Sequence, residues 1–129
     1  MICFAAMSDK SLYARLGGYD AISAVVERFI PRLVADDKLG RFWAHRGNDG
    51  ITREKQLLVD FLCHAAGGPM YYTGRSMTLT HVGMRIDAED WQRLLGHLRA
   101  TLVAMEVPEV EREQVLGFID GLCGEIVEG

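Results

Sequence analysis

The sequence predicts an all-α fold, and three observations support this prediction. Apolar residues recur at three- and four-residue spacings in several segments, which is typical of helices with one buried face. No segment alternates cleanly between apolar and polar residues, and no Asn-Gly hairpin signal is present. Glycines, prolines and short polar stretches separate the helical patterns. The length of 129 residues favours a single domain.

The first part of the chain is predicted to contain a short helix and a long one. Ser11 to Leu16 forms the short helix, which ends at Gly17-Gly18. Asp20 is expected to cap the second helix, which runs to Ala35. Pro31 lies inside that helix and predicts a bend, because proline has no backbone N–H to donate to the preceding turn. The apolar residues expected on its inner face are Ile22, Val25, Val26, Phe29, Ile30, Leu33 and Val34.

The middle of the chain is predicted to hold a brief helical turn, a loop and a third helix. The turn spans Asp37 to Trp43, and a polar loop follows from Ala44 to Gly50. The third helix is expected from Thr52 to Ala66, and it ends at Gly67-Gly68-Pro69, since proline cannot continue a helix. The residues expected on its inner side are Leu57, Leu58, Phe61, Leu62 and Ala65.

Two further helices are predicted after the central connection. Asp87 begins a long helix, and Ile86 and Trp91 occupy the two positions of a hydrophobic staple. Pro108 starts the last helix. The expected inner residues are Trp91, Leu94, Leu95, Leu98 and Leu102 in the first, and Val115, Leu116, Ile119, Leu122, Cys123 and Ile126 in the second. The connection before Asp87 is long for a helical bundle, which indicates that something is held there.

Composition excludes several classes of protein. The chain has 14 basic and 18 acidic residues, so its formal charge is −4, which argues against a nucleic-acid partner. Its three cysteines lie far apart and form no disulfide framework, which favours a cytoplasmic location. No apolar run approaches the ~18–20 residues that a membrane helix needs. Residues 1–10 are expected to form a flexible tail before a domain at 11–129.

Four histidines, His45, His64, His81 and His97, are the candidate metal ligands. No two have the spacing of a multi-histidine site on one helix. His81 differs from the others because Met77 and Met84 fall on the same helical face. Two interpretations of His81 remain open from this pattern: a core histidine satisfied by a backbone carbonyl, or an iron ligand. His64 and His97 are expected to be structural, and His45 to be solvated.

Several short motifs occur in order along the chain. They are Ser11-Leu12-Tyr13-x-x-Leu16-Gly17-Gly18, Phe42-Trp43, Phe61-Leu62-x-x-Ala65-x-Gly67-Gly68-Pro69, Tyr72-Thr73-Gly74-Arg75-x-Met77-x-x-x-His81 and Val107-Pro108. With them the chain resembles the truncated haemoglobins, short globins with a two-over-two helical sandwich, and within them the first group. The resemblance extends from about Ser11 to Val127.

The resemblance implies a globin-like fold that holds haem b, with His81 as the ligand of the iron. It implies O2, CO and NO as ligands, and a role in oxygen binding or transport, or in gas scavenging or sensing. Arg75 would pair with a haem propionate or remain solvated. The other residues expected at the cofactor are Phe29, Ile30, Phe42, Trp43, Glu54, Leu57, Leu58, Leu62, Tyr72, Met77, Met84, Trp91 and Leu94. A monomer or a weak homodimer is expected.

The distal side departs from the pattern of the first group. That group usually has a tyrosine directly after the phenylalanine matched by Phe29, where this chain has Ile30. The usual distal glutamine position holds Leu58, and the position one turn earlier holds Glu54. Gln56 lies about 200° around the helix from Leu58 and cannot replace that glutamine. Fewer donors predict faster O2 release and weaker discrimination between O2 and CO.

Two alternative functions remain open. The chain could be an NO dioxygenase or a peroxidase-like haem enzyme, but either would need an external reductase, which the sequence does not contain. It could also be a globin-like interaction module without haem. His81 and its two flanking methionines argue against that last alternative.

Overall fold

The computed structural model describes residues 10–69, 74, 76–77 and 81–128. All regular secondary structure in these residues is helical, so the all-α prediction is confirmed. The elements are α1 (Leu12–Leu16), α2 (Tyr19–Ala35), a 3₁₀ helix (Leu39–Trp43), α3 (Asn48–Ala65), α4 (Ala88–Ala104), α5 (Glu109–Asp120) and α6 (Cys123–Ile126). None of the helices in these ranges has the length and apolar character that crossing a bilayer requires.

The helices pack as two pairs around one large hydrophobic core. Helix α2 packs against α3, α4 and the 3₁₀ helix, while α4 packs against α5 and α1 packs against both α2 and α5. The large core contains Ile22, Val26, Phe29, Ile30, Leu33, Leu39, Val59, Cys63, Leu98, Leu102, Val115 and Leu116. A smaller cluster contains Ile86, Trp91 and Ile126. This second cluster lies beside the central connection, and it therefore bears on the site described below.

The prediction that Asp20 caps α2 is wrong, because the helix begins two residues earlier than expected. Gly18 is the N-cap, and Asp20 lies in the first turn. Gly17 and Gly18 have φ angles of 110° and 82°, in the left-handed region that favours glycine. The chain therefore reverses within two residues, and the Tyr19 N–H donates to the hydroxyl of Tyr13 instead of to a capping side chain (3.0 Å).

Helix α2 continues through Pro31 to Ala35. Pro31 lies on the exposed side of the helix, so water can reach the carbonyl that proline leaves without a donor. Val34 was predicted on the inner face but is 36% exposed, whereas its neighbour Leu33 is buried. The buried face of this helix therefore ends at Leu33, one residue before its predicted end.

Helix α3 begins at Asn48, so the predicted loop from Ala44 to Gly50 is shorter than expected. Its buried residues are Val59 and Cys63, with Leu58 and Leu62 packed beside them on the large core. Leu57 was predicted on this inner side but is 37% exposed. A rotation of the inner face toward Val59 accounts for this error, since each residue turns the helix by about 100°.

Contacts of a glycine and a tyrosine join the end of α3 to α1. The Gly68 N–H donates to the Cys63 carbonyl (2.8 Å), and the Tyr13 N–H donates to the Ala66 carbonyl (2.8 Å). The Tyr13 ring lies directly over Gly68, where an added Cβ would come within 2.6 Å of the ring. The Tyr13 ring therefore packs against the Gly67-Gly68 motif at the end of α3.

The start of α4 carries the predicted staple. Ile86 and Trp91 are buried in the same cluster, which confirms that prediction. Asp87 caps the helix, and the Asp90 N–H donates to its carboxylate (2.8 Å) while the Asp87 N–H donates to the carboxylate of Asp90 (2.9 Å). The last predicted helix is in fact two, because α5 ends at Asp120 and α6 follows after one turn.

Ion pairs join the start of α4 to the 3₁₀ helix. Asp90 is only 1% exposed, and Arg41 donates to both of its oxygens (2.9 and 2.7 Å). Lys38 donates to both oxygens of Asp87 (2.7 and 2.8 Å). The Arg41 guanidinium, the Asp87 N–H and the Lys38 ammonium hold the pKa of the Asp90 carboxyl well below its usual range, although burial opposes them. The buried carboxylate is therefore ionised and paired.

A second pairing fixes the end of α2. The Asp36 carboxylate accepts from the N–H groups of Lys38 and Leu39 (2.8 and 3.0 Å) and lies 2.7 Å from His97 Nε2. The bond to His97, followed by that from Leu39, holds the Asp36 pKa well below its usual range. His97 is thus a structural histidine, as predicted. Together these contacts hold the 3₁₀ helix, with Phe42 and Trp43, against α4.

Gly68→Ala should lower the free energy of unfolding by about 1–3 kcal/mol, because the new methyl group would overlap the Tyr13 ring and the Cys63 carbonyl. Gly96→Ala in α4 is the matched control, since its added Cβ would meet nothing within 4 Å. That control should stabilise the helix by up to about 1 kcal/mol. Chemical denaturation followed by circular dichroism measures both. Equal stabilities for the two variants would contradict the proposed contact.

Asp90→Ala should destabilise the protein by about 2–3 kcal/mol, because it removes both the capping box and the partner of Arg41. Glu113→Ala, which breaks the exposed pair with Arg99, should cost less than about 1 kcal/mol. Since the Asp90 pKa is lowered by folding, its contribution should be complete above about pH 4 and lost as the pH falls further. Denaturation midpoints of both variants at several pH values test this, and similar losses at pH 7 would contradict it.

Candidate functional site

His81 is held by a hydrogen bond from one of its two ring nitrogens. Its Nδ1 lies 2.8 Å from the backbone carbonyl oxygen of Met77. A carbonyl oxygen only accepts hydrogen bonds, so Nδ1 carries the proton and Nε2 carries the lone pair. Among the described residues, no hydrogen bond reaches Nε2. This arrangement fits a metal-ligating histidine, whose second nitrogen is commonly oriented by a backbone carbonyl.

The two methionines that flank His81 in sequence have apolar surroundings. Met77 and Met84 both pack on the small cluster around Trp91. His81 itself is half-buried. Its bond to the Met77 carbonyl is compatible with a core histidine and equally with an iron ligand, since a ligating histidine is commonly oriented in this way.

A cavity of about 420 Å³ lies next to Met77. Its volume is within the ~300–1,000 Å³ range of pockets that hold small molecules. Its walls are formed by helix α3, by Gly74, Ser76 and Met77, and by the last two helices. The lining residues are Phe61, His64, Ala65, Gly74, Ser76, Met77, Phe118, Leu122 and Glu125.

Of these lining residues, only Met77 was predicted at the cofactor. Phe61 and Phe118 were not predicted at the cofactor, and their rings contact each other with centroids 5.9 Å apart. Phe61 was assigned to the core, and Phe118 is 38% exposed in a helix whose pattern did not single it out. The only available signal was the position of Phe61 three residues after Leu58 on one helical face.

A second cavity of about 280 Å³ lies between α1, α2, α3, α4 and α5. It shares Ala65 and Phe118 with the first cavity and is otherwise lined by the aliphatic side chains of the large core, among them Ile22, Leu62 and Leu98. The interior of the helical sandwich is therefore incompletely filled with protein side chains, and the space in it is apolar.

Five of the apolar residues predicted at the cofactor meet on the large core. Phe29 and Ile30 are buried there, and Leu58, Leu62 and Leu94 pack against it as partly buried residues. None of these five side chains can donate a hydrogen bond. Leu57, in contrast, joins neither cluster in the described part of the chain.

Phe42 connects the two clusters, and Trp43 packs beside it on the large one. Phe42 packs against both, and its ring meets that of Trp43 edge to face with centroids 6.3 Å apart. The Arg41 guanidinium lies 4.2 Å from the centroid of Phe42, a cation–π geometry. Because Arg41 is also paired with Asp90, the charge network on α4 fixes the orientation of these rings.

Glu54 is the polar exception on the inner face of α3. The Trp43 indole Nε1–H donates to its Oε2 (3.2 Å), and Arg46 donates to the same oxygen. Glu54 lies one turn before Leu58, so the polar contact stands at the edge of the apolar face. The carboxylate is turned toward Trp43 and Arg46, which both donate to it.

Gln56 points away from this face, as its helical position predicted. It is exposed, and its side-chain amide donates to the Tyr19 hydroxyl (2.9 Å) and to Asp60 (3.0 Å). It therefore cannot supply the donor that Leu58 lacks without a rotation of the helix.

The remaining predicted positions give less information. Tyr72 and Arg75 lie outside the described residues, so their predicted contacts stay predictions. His45 is exposed, and His64 is exposed at the wall of the larger cavity. In the described ranges, no group of three or more histidine, cysteine or acidic residues could hold a metal ion.

Comparisons with known proteins identify the family of the chain. The profile of the bacterial-like globin family matches residues 11–128. A group 1 truncated haemoglobin of Mycolicibacterium paratuberculosis is 36% identical over 126 residues, which cover 98% of this chain and 90% of the relative. One from Tetrahymena pyriformis is 31% identical over 100 residues, covering 78% of this chain and 80% of the relative.

Solved structures show the same fold. The crystal structure of the T. pyriformis truncated haemoglobin in its Fe(III) form has a TM-score of 0.85 and 25% identity, over 93% of this chain and all of that one (100%). The cyanomet 2/2 haemoglobin of Synechococcus sp. PCC 7002, with covalently attached haem, has a TM-score of 0.76 and 28% identity, over 84% and 89% of the two chains. The chain therefore belongs to the bacterial-like globin family and, within it, to the group 1 truncated haemoglobins.

Proposed function

We propose that this protein binds haem b through His81 Nε2 and that the haem-loaded protein binds small gases, O2, CO or NO, reversibly. The observation that supports this most directly is the hydrogen bond from His81 Nδ1 to the Met77 carbonyl. It fixes the tautomer in which Nε2 presents its lone pair. Membership of a haem-binding family supplies the cofactor class.

The chain would hold His81 in a defined orientation before any cofactor binds. The Met77 carbonyl restricts rotation of the ring, and Met77 and Met84 pack on the small apolar cluster around Trp91. Because the Nδ1–H donates to the Met77 carbonyl, Nε2 also becomes a better electron donor. When bound, the haem supplies an iron atom with an open position for a diatomic gas.

The apolar residues around the site would exclude water and bury the porphyrin. Phe42, Trp43, Leu62, Trp91 and Leu94 are our assignments for its apolar contacts. Burying apolar surface contributes about 25 cal/mol per Å², so a cofactor the size of haem would be held firmly. Phe61 and Phe118, at the wall of the larger cavity, would add to this contact.

The side facing the gas would offer few hydrogen bonds. Ile30 and Leu58 have no donor, and Glu54 already accepts from Trp43 and Arg46. A neutral hydrogen bond to a bound ligand contributes on the order of 1 kcal/mol, which corresponds to roughly five- to tenfold in affinity. We therefore expect O2 to dissociate quickly from this protein.

His81→Gly should abolish the iron–histidine signature of the ferrous protein, and added imidazole should restore it. The reason is that free imidazole can occupy the space of the missing side chain and supply the same nitrogen. Optical and resonance Raman spectra of the purified protein measure both effects. His45→Gly is the control, because His45 is exposed and should not affect the spectrum. Haem binding with an unchanged spectrum in His81→Gly would contradict the assignment.

Leu58→Gln should slow O2 dissociation by roughly five- to tenfold, because it places an amide donor on the apolar face. CO dissociation should change much less, since bound CO is a weak hydrogen-bond acceptor. Leu58→Met is the control for the change of shape, and it should leave both rates nearly unchanged. Flash photolysis and stopped-flow mixing give the rates. Slow O2 dissociation in the unmodified protein would show that another donor reaches the gas.

A further inference from the structure

The side chain of Glu128 accepts hydrogen bonds from the turn that follows His81. The Gly83 N–H donates to Glu128 Oε2 (3.1 Å), and the Arg85 N–H donates to Glu128 Oε1 (2.7 Å). The Glu128 N–H in turn donates to the Ile86 carbonyl (2.8 Å). Three hydrogen bonds thus connect a residue after α6 to a segment 42–45 positions earlier in the chain.

The turn whose N–H groups donate to Glu128 has an unusual backbone conformation. Gly83 and Arg85 have φ angles of 85° and 58°, both in the left-handed region. That conformation is uncommon for a residue with a side chain such as Arg85, and it persists only where surrounding contacts enforce it. Backbone N–H groups two residues apart in such a turn form a concavity that binds anions. The carboxylate of Glu128 occupies it.

This turn is continuous with the backbone of His81. The Met84 N–H donates to the His81 carbonyl (3.2 Å), so a shift of the turn moves the peptide that carries the imidazole. The bonds from the Gly83 and Arg85 N–H groups also lower the pKa of the Glu128 carboxyl, so the side chain is ionised at neutral pH. Charge-assisted bonds of this kind are stronger than those between neutral groups.

We propose that Glu128 is a positioning residue for His81. The ring is fixed on one side by the Met77 carbonyl, and the backbone after it is fixed by Glu128. The two contacts together set the angle at which Nε2 approaches an iron atom. This inference rests on the proposed function, because it takes His81 as the iron ligand.

The experiment compares Glu128→Gln and Glu128→Ala with the unmodified protein, all loaded with haem and reduced without a gas ligand. Glutamine keeps one accepting oxygen without the charge, while alanine removes both oxygens. The iron–histidine stretching band in the resonance Raman spectrum should shift in Glu128→Ala and shift less in Glu128→Gln. Glu109→Gln removes an exposed carboxylate from the first turn of α5 and is the control, whose band should stay in place.

Haem transfer to an excess of apomyoglobin provides a second measurement. Loss of two charge-assisted bonds near the iron ligand should speed haem release by about tenfold in Glu128→Ala, with Glu128→Gln between it and the unmodified protein. Glu128→Gln keeps the test usable if the alanine variant does not fold. A role limited to general stability would lower the denaturation midpoint without moving the iron–histidine band.

Two results would be decisive against the inference. An unchanged iron–histidine band in both Glu128 variants, with haem bound through His81, overturns the positioning role and leaves the proposed function intact. Absence of that band from the unmodified protein overturns the proposed function, and the positioning role with it. A graded shift from glutamine to alanine, with Glu109→Gln unchanged, supports the inference.

Discussion

The hydrogen bond between His81 Nδ1 and the Met77 carbonyl is the constraint on which the proposed site depends. A neutral imidazole has one donor and one acceptor, and this bond decides which nitrogen has which role. Without it, the ring could rotate and present either nitrogen to the interior. With it, Nε2 is the nitrogen that keeps its lone pair in the neutral ring.

Contacts between residues that lie far apart in the sequence support the site in two places. Arg41 and Lys38 join the 3₁₀ helix to the start of α4, and this holds Phe42 and Trp43 in place. Glu128 joins the segment after α6 to the turn that follows His81. In both cases a carboxylate accepts more than one hydrogen bond, so each contact fixes an orientation as well as a distance. These two irregular segments are thus stabilised by charge-assisted hydrogen bonds, while the long helices are stabilised by apolar packing.

The sequence was sufficient for the helices but not for the contacts at the edges of the site. Periodicity identified α2, α3 and α4, because each has a repeating apolar face that must be buried. It could not show that α3 begins at Asn48 or that Leu57 is exposed, because helix ends and the margins of a face depend on tertiary contacts. The resemblance to a family selected His81 as the predicted iron ligand. The roles of Glu54, Arg46 and Glu128 required coordinates, since their partners are separated from them by irregular chain.

The polarity of the site follows from where its charged residues lie. Arg46 is 45% exposed and Glu54 is 32% exposed, so this pair stands where water already reaches it. Exposed pairs contribute little to stability, and this one therefore costs the fold little if it separates. The apolar face beyond it, formed by Ile30, Leu58 and Leu62, cannot replace water with hydrogen bonds of its own. A neutral diatomic molecule loses little on entering such a space, whereas an ion would lose its hydration. On this argument, a site with few donors would still select for small uncharged ligands.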